Sequence, residues 1–300
     1  MELRDALAGD AVLVGDGGLA TELEDRGQDL SDDLWSARVL LDAPQAVKAA
    51  HLAYFRAGAV IATTASYQAS FDGFAARGVD RAGTARLLRH SVELARDARA
   101  EVAADGVARW VAASVGPYGA ARADGGEYRG RYGLTVAQLR AWHQPRLEIL
   151  AESGADVLAL ETIPDQDEAV ALVALVASLG VPSWLSYTID GAATRAGQPL
   201  ADAFAVAAGV PQVLAVGVNC CSPADVPLAV RVAREVTGKP VIAYPNSGES
   251  WDAAARRWRG AKQVSPALAA QWVAAGARIV GGCCRVTPAE IEGIAKAAGQ

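Results

Sequence analysis

The sequence predicts an α/β fold, a single (β/α)8 barrel of the TIM type, and three observations predict it. Eight short apolar runs recur along the chain, and helical patterns alternate with them, as expected for parallel strands joined by crossover helices. No composition break marks a second domain, so residues 1–300 are expected to form one. No Gly-x-Gly-x-x-Gly follows the first run, so the open dinucleotide-binding sheet lacks its fingerprint. A chain of 300 residues, 52% hydrophobic and 21% charged, can bury a large core. That length is commonly two domains, but an α/β barrel reaches it as one.

Val12-Leu13-Val14 is the first strand, closed by the turn Asp16-Gly17-Gly18. Pro44 to Ala57 carries Val47, Leu52, Tyr54 and Phe55 on a helical pattern that ends at Gly58. Val60-Ile61-Ala62 is the second strand, and the polar cluster Thr63 to Gln68 is its loop. A long helix from Asp80 to Ala104 sets Leu87, Leu88, Val92 and Leu94 against a face of arginines. His90 lies on this helix with no second histidine near it and reads as a surface residue. Trp110 to Val115 is the third strand, ended by Gly116-Pro117-Tyr118. The glycine-rich segment Gly119 to Gly133 has the length of a lid or binding loop, and Glu127, Tyr128, Arg129 and Tyr132 in it can meet a charged small molecule. Its composition alone fits a plain surface loop equally well.

After a helix from Val136 to Ser153 the rhythm becomes regular. Val157 to Leu160 is the fourth strand, ending at Glu161-Thr162, with a helix from Asp165 to Leu179. Trp184 to Thr188 is the fifth, with a short helix from Leu200 to Ala208. Leu214 to Val218 is the sixth, ending at Asn219-Cys220, with a helix from Pro223 to Val236. Val241 to Tyr244 is the seventh, followed by Pro245 to Gly248 and a second long loop carrying Trp251 and Trp258. A helix opens at Ser265-Pro266 and runs to Gly276, Ile279 to Gly282 is the eighth strand, and Thr287-Pro288 begins the last helix.

All four cysteines occur as two adjacent pairs at strand ends, Cys220-Cys221 and Cys283-Cys284. Adjacent Cα atoms lie about 3.8 Å apart, below the range of ordinary disulfides, so neither pair should bridge itself. Cysteines are also common as small core residues, and that reading stays open for each one taken alone. Two pairs at two strand ends outline a metal site, since thiolate clusters suit zinc, and the absence of a Cys-x-x-Cys spacing argues against a zinc finger. Gly281 and Gly282 would supply the irregular backbone needed to turn two neighbouring thiolates toward one ion. In a barrel the active site lies at the carboxyl ends of the strands, where Asp16, Ser66, Glu161, Asn219, Cys220, Asn246, Cys283 and Cys284 all fall. Asp16 reads equally as a turn former. Strands six and eight are separated by one strand, so Cys220 can reach Cys283 and Cys284.

Charge and hydropathy narrow the function class. Lysine plus arginine is 28 against 34 acidic residues, a net charge of −6, which disfavours nucleic acid and other polyanions as partners. No basic, apolar leader opens the sequence and no run is long enough to cross a bilayer, so a reducing cytoplasm is expected. No obligate protein partner is evident.

The motifs Asp16-Gly17-Gly18 with Ala20 to Leu23, Leu34 to Ala37, Thr63 to Gln68, Ser114 to Tyr118, Glu127 to Gly130, Glu161-Thr162, Gly217 to Cys220, Tyr244 to Glu249 and Gly281 to Cys284 span nearly the whole chain. Together they resemble the homocysteine S-methyltransferase family, most of all its bacterial branch that uses S-methylmethionine as methyl donor. The resemblance implies a homocysteine-binding barrel with Zn2+ held by Cys220, Cys283 and Cys284, and small-molecule substrates, homocysteine and S-methylmethionine. Cys221 departs from the family pattern, which needs one cysteine at strand six. By the same resemblance Glu161 and Asp16 would bind the amino group of homocysteine, and Gly17 would belong to the substrate-binding residues. Ser66 and nearby amides would bind its carboxylate, and Asn219 would orient the zinc ligands. Tyr118, Tyr128 or Trp251 would face the sulfonium, since aromatic faces attract cations.

Four further readings remain at this level. S-Adenosylmethionine is a second candidate donor, and selenocysteine or another thiol a second acceptor. Gly281-Gly282 would suit a phosphate-binding barrel lyase or isomerase. A non-catalytic zinc protein would close its ion with Cys221 as fourth ligand.

Overall fold

Eight parallel strands form one sheet whose order around the ring follows the chain: Leu13–Val14, Ile61–Thr63, Trp110–Val115, Val157–Ile163, Ser183–Tyr187, Val213–Asn219, Val241–Tyr244 and Ala277–Val280. We number these barrel strands one to eight. The computed structural model describes residues 1–32, 34–252 and 257–299. Strand one pairs with strand eight on one side, and on the other a bridge from Gly15 to Ile61 meets strand two. There the Val60 N–H donates to the Val14 carbonyl at 2.7 Å and the Asp16 N–H to the Ile61 carbonyl at 3.0 Å, so the sheet closes into a barrel.

Strand alternation explains what fills it. Side chains two apart share a face, and Ile61, Trp110, Ala112, Val157, Ala159, Trp184, Ala215, Ile242 and Ile279 form one interior cluster. Leu3 and Leu7 of the helix Leu3–Ala8 join that cluster and plug the amino-terminal mouth. The residues in between, such as Val111, Ala113, Leu158, Leu160, Val216 and Val218, face the surrounding helices in the main core. Continued upward, the same period turns Ser114, Glu161, Ser186, Asn219 and Tyr244 inward at the carboxyl end, above the apolar filling. Position 217 admits only glycine, because a Cβ there would lie 1.8 Å from the Ile242 carbonyl oxygen on the neighbouring strand.

The helices start where their caps stand. Asp80 and Ser265 accept the third-residue amide of Arg81–Glu101 and Pro266–Ala275, and Thr135 and Thr287 form capping boxes for Val136–Ala151 and Pro288–Ala298. Short helices at Leu19–Asp25 and Ser36–Asp42, which the sequence pattern did not reveal, fill the first crossover before Pro44–Arg56. The segment 119–133 is a compact loop holding the helix Tyr118–Ala121 and a 3-10 turn at Gly126–Tyr128. The second long loop carries an antiparallel pair, Ser250–Asp252 with Arg257–Arg259. Among the described residues no helix is long and apolar enough to cross a membrane.

One expectation needs correcting. Strand eight stops at Val280, and Gly281 and Gly282 do not adopt left-handed backbone. They are small because space is short: a Cβ would meet the Asp16 carbonyl oxygen at 2.9 Å and the Val286 side chain at 2.2 Å. The left-handed residues of this rim are Thr162, Cys220 and Arg285.

Candidate active site at the carboxyl end of the barrel

Cys220 is the first residue beyond strand six, with φ of 50°. A side chain bearing Cβ pays for that conformation, on the order of 1–3 kcal/mol, and its neighbours hold it there. Its N–H donates to the Tyr244 carbonyl at 3.3 Å, and Thr188 Oγ1 donates to its carbonyl at 3.1 Å. The turn separates the two cysteines of the pair. Cys220 goes to the rim, while Cys221 packs into the main core, where burial pushes its thiol up. Cys283 and Cys284 are braced by the loop after strand seven: the Cys283 N–H donates to the Pro245 carbonyl at 2.8 Å and the Cys284 N–H to Asn246 Oδ1 at 3.2 Å. The Ser247 N–H completes the brace at the Cys284 carbonyl, 2.9 Å away.

These turns bring three sulfurs together. Cys220 Sγ lies 2.8 Å from Cys283 Sγ and 3.7 Å from Cys284 Sγ, and all three sulfurs lie within 4.8 Å of one another. Hydrogen bonds from Cys220 and Cys283 hold the Cys284 thiol well below its usual range. A tetrahedral ion with metal–sulfur bonds of about 2.3 Å would space its sulfurs about 3.8 Å apart. The Cys220–Cys284 pair already has that separation, and the Cys220–Cys283 pair would open by about 1 Å. The donor set fits a soft or borderline metal with three protein ligands and leaves a fourth position free.

Two carboxyl groups are buried in the same rim. Asp16 Oδ2 accepts the Thr63 N–H at 2.7 Å and Oδ1 accepts Thr63 Oγ1 at 3.1 Å. Glu161 accepts the Ser114 hydroxyl on Oε1 and the Tyr244 hydroxyl on Oε2, the latter at 3.1 Å. Burial pushes Asp16 up to about 8 against the Thr63 amide, with the nearby Glu161 adding to the rise. Burial likewise pushes Glu161 up to about 7 against its two hydroxyl donors. Neither carboxyl group makes an ion pair among the described residues. A buried acid pair without a counter-charge is a receptor for a cation, and an ammonium supplies one.

The other residues expected at the site divide. Ser66 is fully buried, donates to the Ser114 carbonyl at 2.7 Å and meets Thr64 Oγ1 at 2.8 Å, so its hydrogen-bonding capacity is used within the wall. Gly17 lets the first turn approach the last: a Cβ there would sit 2.4 Å from the Val286 carbonyl oxygen and 2.7 Å from the Tyr54 ring. Asn219 is also fully buried. Its oxygen accepts the Thr162 N–H at 2.7 Å and the Ser186 hydroxyl, and its Nδ2 donates to Thr162 Oγ1 at 2.7 Å. It ties the left-handed turn at Thr162 to the one that begins at Cys220.

The loop of residues 119–133 supplies the roof. Tyr128 is 40% exposed, yet its hydroxyl reaches to 3.6 Å from Cys220 Sγ. Glu127 is half-buried, its Oε2 has no hydrogen-bond partner, and burial raises its carboxyl group. Tyr118 packs instead against Tyr132 and Trp142, with ring centroids 5.2 and 5.0 Å away. The side chain of Trp251 lies outside what the structure describes. His90 stands on the helix surface, 3.0 Å from Glu93, as expected. Ser114 and Tyr244 were read in the sequence as strand residues. Their inward alternation, two positions beyond Ala112 and Ile242, was the signal that they partner Glu161.

Comparison with known proteins places this arrangement. The profile of the homocysteine S-methyltransferase family matches residues 13–298. The chain belongs to that family. It is 46% identical over 297 residues to the homocysteine S-methyltransferase of Escherichia coli strain K12, covering 96% of each chain. It is 41% identical over 315 residues to the selenocysteine Se-methyltransferase of Brassica oleracea var. italica, covering 98% of this chain and 90% of that one. The metallated form of the Escherichia coli homocysteine methyltransferase MmuM superposes with a TM-score of 0.89 at 43% identity, covering 98% of this chain and 99% of that one.

Proposed function

We propose that this enzyme transfers a methyl group from S-methylmethionine to the thiol of L-homocysteine, producing methionine from both, at a Zn2+ ion held by Cys220, Cys283 and Cys284. The observation that carries the reading is the three-sulfur cluster set beside two buried carboxyl groups that lack a cationic partner. A zinc ion with three thiolate ligands and an open position supplies the acidity that keeps a substrate thiol deprotonated at neutral pH.

The protein's own groups do the positioning. Asp16 and Glu161 bind the homocysteine ammonium and release their protons as it enters. Thr63, Ser114 and Tyr244 hold the two carboxylates in place from behind. Ser66 sets the Ser114 strand end and Asn219 sets the Cys220 turn, so both act on the substrate groups through the wall rather than by contact. Gly17 keeps the Asp16 turn close to the turn after Cys283 and Cys284. The transfer balances without a general base. The donor carbon–sulfur bond breaks toward the sulfonium, which becomes a neutral thioether, and the homocysteine sulfur forms the new bond after its proton has gone to solvent. In-line approach of sulfur, methyl carbon and sulfur is the main demand on the site.

S-Adenosylmethionine is a second candidate donor, and a selenol is a second candidate acceptor because a relative 41% identical is a selenocysteine Se-methyltransferase. A phosphate-binding turn at Gly281-Gly282 is disfavoured, since Val286 and the Asp16 carbonyl fill the space beside it. Closure of the ion by Cys221 is disfavoured by the burial of that thiol in the outer core. Free thiols at the site suit a reducing compartment, and we place the enzyme in the cytoplasm, acting on small molecules.

The test is methionine formation from homocysteine with each donor, with and without a zinc chelator. Methionine from S-methylmethionine, abolished by the chelator and in Cys283→Ala but retained in Cys221→Ala, is the expected result. Zinc bound at one equivalent with no methionine from either donor would overturn the proposal.

A further inference from the structure

A reaction between two amino acids needs two places for a zwitterion. Asp16 and Glu161 provide one on the barrel side of the sulfur cluster, which leaves the second substrate to be held from the roof. Two roof groups and an arginine beside the roof have the right chemistry and are incompletely used. Tyr128 brings its hydroxyl oxygen to 3.6 Å from Cys220 Sγ. Glu127, its neighbour, keeps Oε2 buried without a hydrogen-bond partner. Arg195 holds its guanidinium carbon 5.8 Å from the centroid of the Tyr128 ring.

Arg195 stands apart from the other basic side chains around this loop. Arg122 and Arg129 are tied to Asp124, and Arg131 donates Nε to the Ala196 carbonyl at 2.8 Å. Arg195 has a 3.7 Å contact with Asp190, whose side chain is 82% exposed, and its Nε is buried with no partner. It is also coupled to the metal cluster through the backbone. Its N–H donates to the Thr188 carbonyl at 3.3 Å, and Thr188 Oγ1 in turn holds the Cys220 carbonyl. Glu127, next to Tyr128 in the chain, and Arg195, beside its ring, therefore carry opposite charges and unfilled hydrogen-bonding capacity.

We propose that Glu127, Tyr128 and Arg195 form the donor subsite, recognising an amino-acid sulfonium by its three charged groups. The Tyr128 hydroxyl oxygen lies against the sulfonium beside Cys220, Arg195 binds the α-carboxylate, and Glu127 binds the α-ammonium. The inference rests on the methyl-transfer reading above and names the residues that select its donor.

The experiment compares S-methylmethionine with trimethylsulfonium, a methyl donor that lacks both the ammonium and the carboxylate, on the zinc-loaded enzyme. Glu127→Gln and Arg195→Gln should each raise KM for S-methylmethionine by about 10- to 100-fold, the usual loss for a charge-assisted hydrogen bond. KM for homocysteine and kcat/KM with trimethylsulfonium should stay within about twofold, and Arg195→Lys should recover part of the loss. Equal losses with both donors would mean that the substitutions only disturb the roof, and unchanged KM values would mean that the donor binds elsewhere; either result overturns the subsite. Calorimetric binding of S-methylmethionine separates this from failure of the parent reading. If the wild-type enzyme forms no methionine from any donor, the methyl-transfer reading falls. The subsite then stands if binding weakens at least about tenfold in the two variants, and falls with that reading if it does not.

Discussion

Asp16 and Glu161 reach about 8 and about 7 because burial costs the charged form more than their hydrogen bonds return. Both are protonated at low pH and ionise as pH rises, and in the proposed binding mode the homocysteine ammonium needs them ionised. Apparent affinity for homocysteine is therefore predicted to improve from about pH 6 to about pH 9, as first Glu161 and then Asp16 ionise. In Asp16→Asn the rise through the upper part of that window should vanish while the part near 7 remains. A profile of kcat/KM for homocysteine at saturating donor checks this. At this scale the cysteines were legible because paired thiols at strand ends have few other uses, and the structure separates Cys220 from Cys221 because the left-handed turn at Cys220 breaks the alternation of the strand. Tyr244 and Ser114 were not legible as site residues, since a tyrosine or serine in an apolar run looks like filling until the carboxylate opposite is known. The buried trio His143, Arg146 and Glu168 was equally invisible. His143 Nε2 meets Glu168 Oε1 at 2.8 Å, and Arg146 reaches the Gly116 carbonyl, yet nothing in one sequence joins two separate helices.

The strands were the most legible elements, because short buried β-branched runs between helical patterns have one economical arrangement. Strands three and seven lie where the sequence places them, and strand eight ends two residues early because the cysteine pair needs a turn before it, not an extended ladder. The short helices after strand one were missed because seven residues barely complete two helical periods. The contact between strands six and seven gives the sharpest prediction for an element. Gly217→Ala would place a methyl group 1.8 Å from the Ile242 carbonyl oxygen, and a backbone atom cannot rotate away. The substitution should destabilise the fold by about 3 kcal/mol or more and spread the Cys220 turn. Urea unfolding of the variant beside the wild type measures it, and a loss below about 0.5 kcal/mol would show that the strands part freely.

Over the whole molecule, a closed ring leaves no edge and no gap at which the chain could divide. The first helix plugs one mouth and the last, Pro288–Ala298, packs against strand one and the helix Pro44–Arg56, so both ends of the sequence are built into the same body. We propose that residues 1–300 are a single domain, as the unbroken sequence pattern suggests. Fluorescence and far-ultraviolet dichroism should then report one coincident unfolding transition, whereas separated midpoints would mark two units. The closed barrel was readable from eight repeats, but its closure at Gly15 and Ile61 was not, because one bridge between a two-residue and a three-residue strand leaves no periodicity to detect.

The central claim is that three cysteines hold an ion whose fourth position receives the substrate sulfur. X-ray absorption at the zinc edge, recorded before and after homocysteine is added, tests it most directly. The account predicts three sulfur neighbours and one lighter atom in the free enzyme, changing to four sulfurs with homocysteine and reverting when the amino acid is removed. Four sulfurs from the outset, unchanged by homocysteine, would contradict it and make the ion structural.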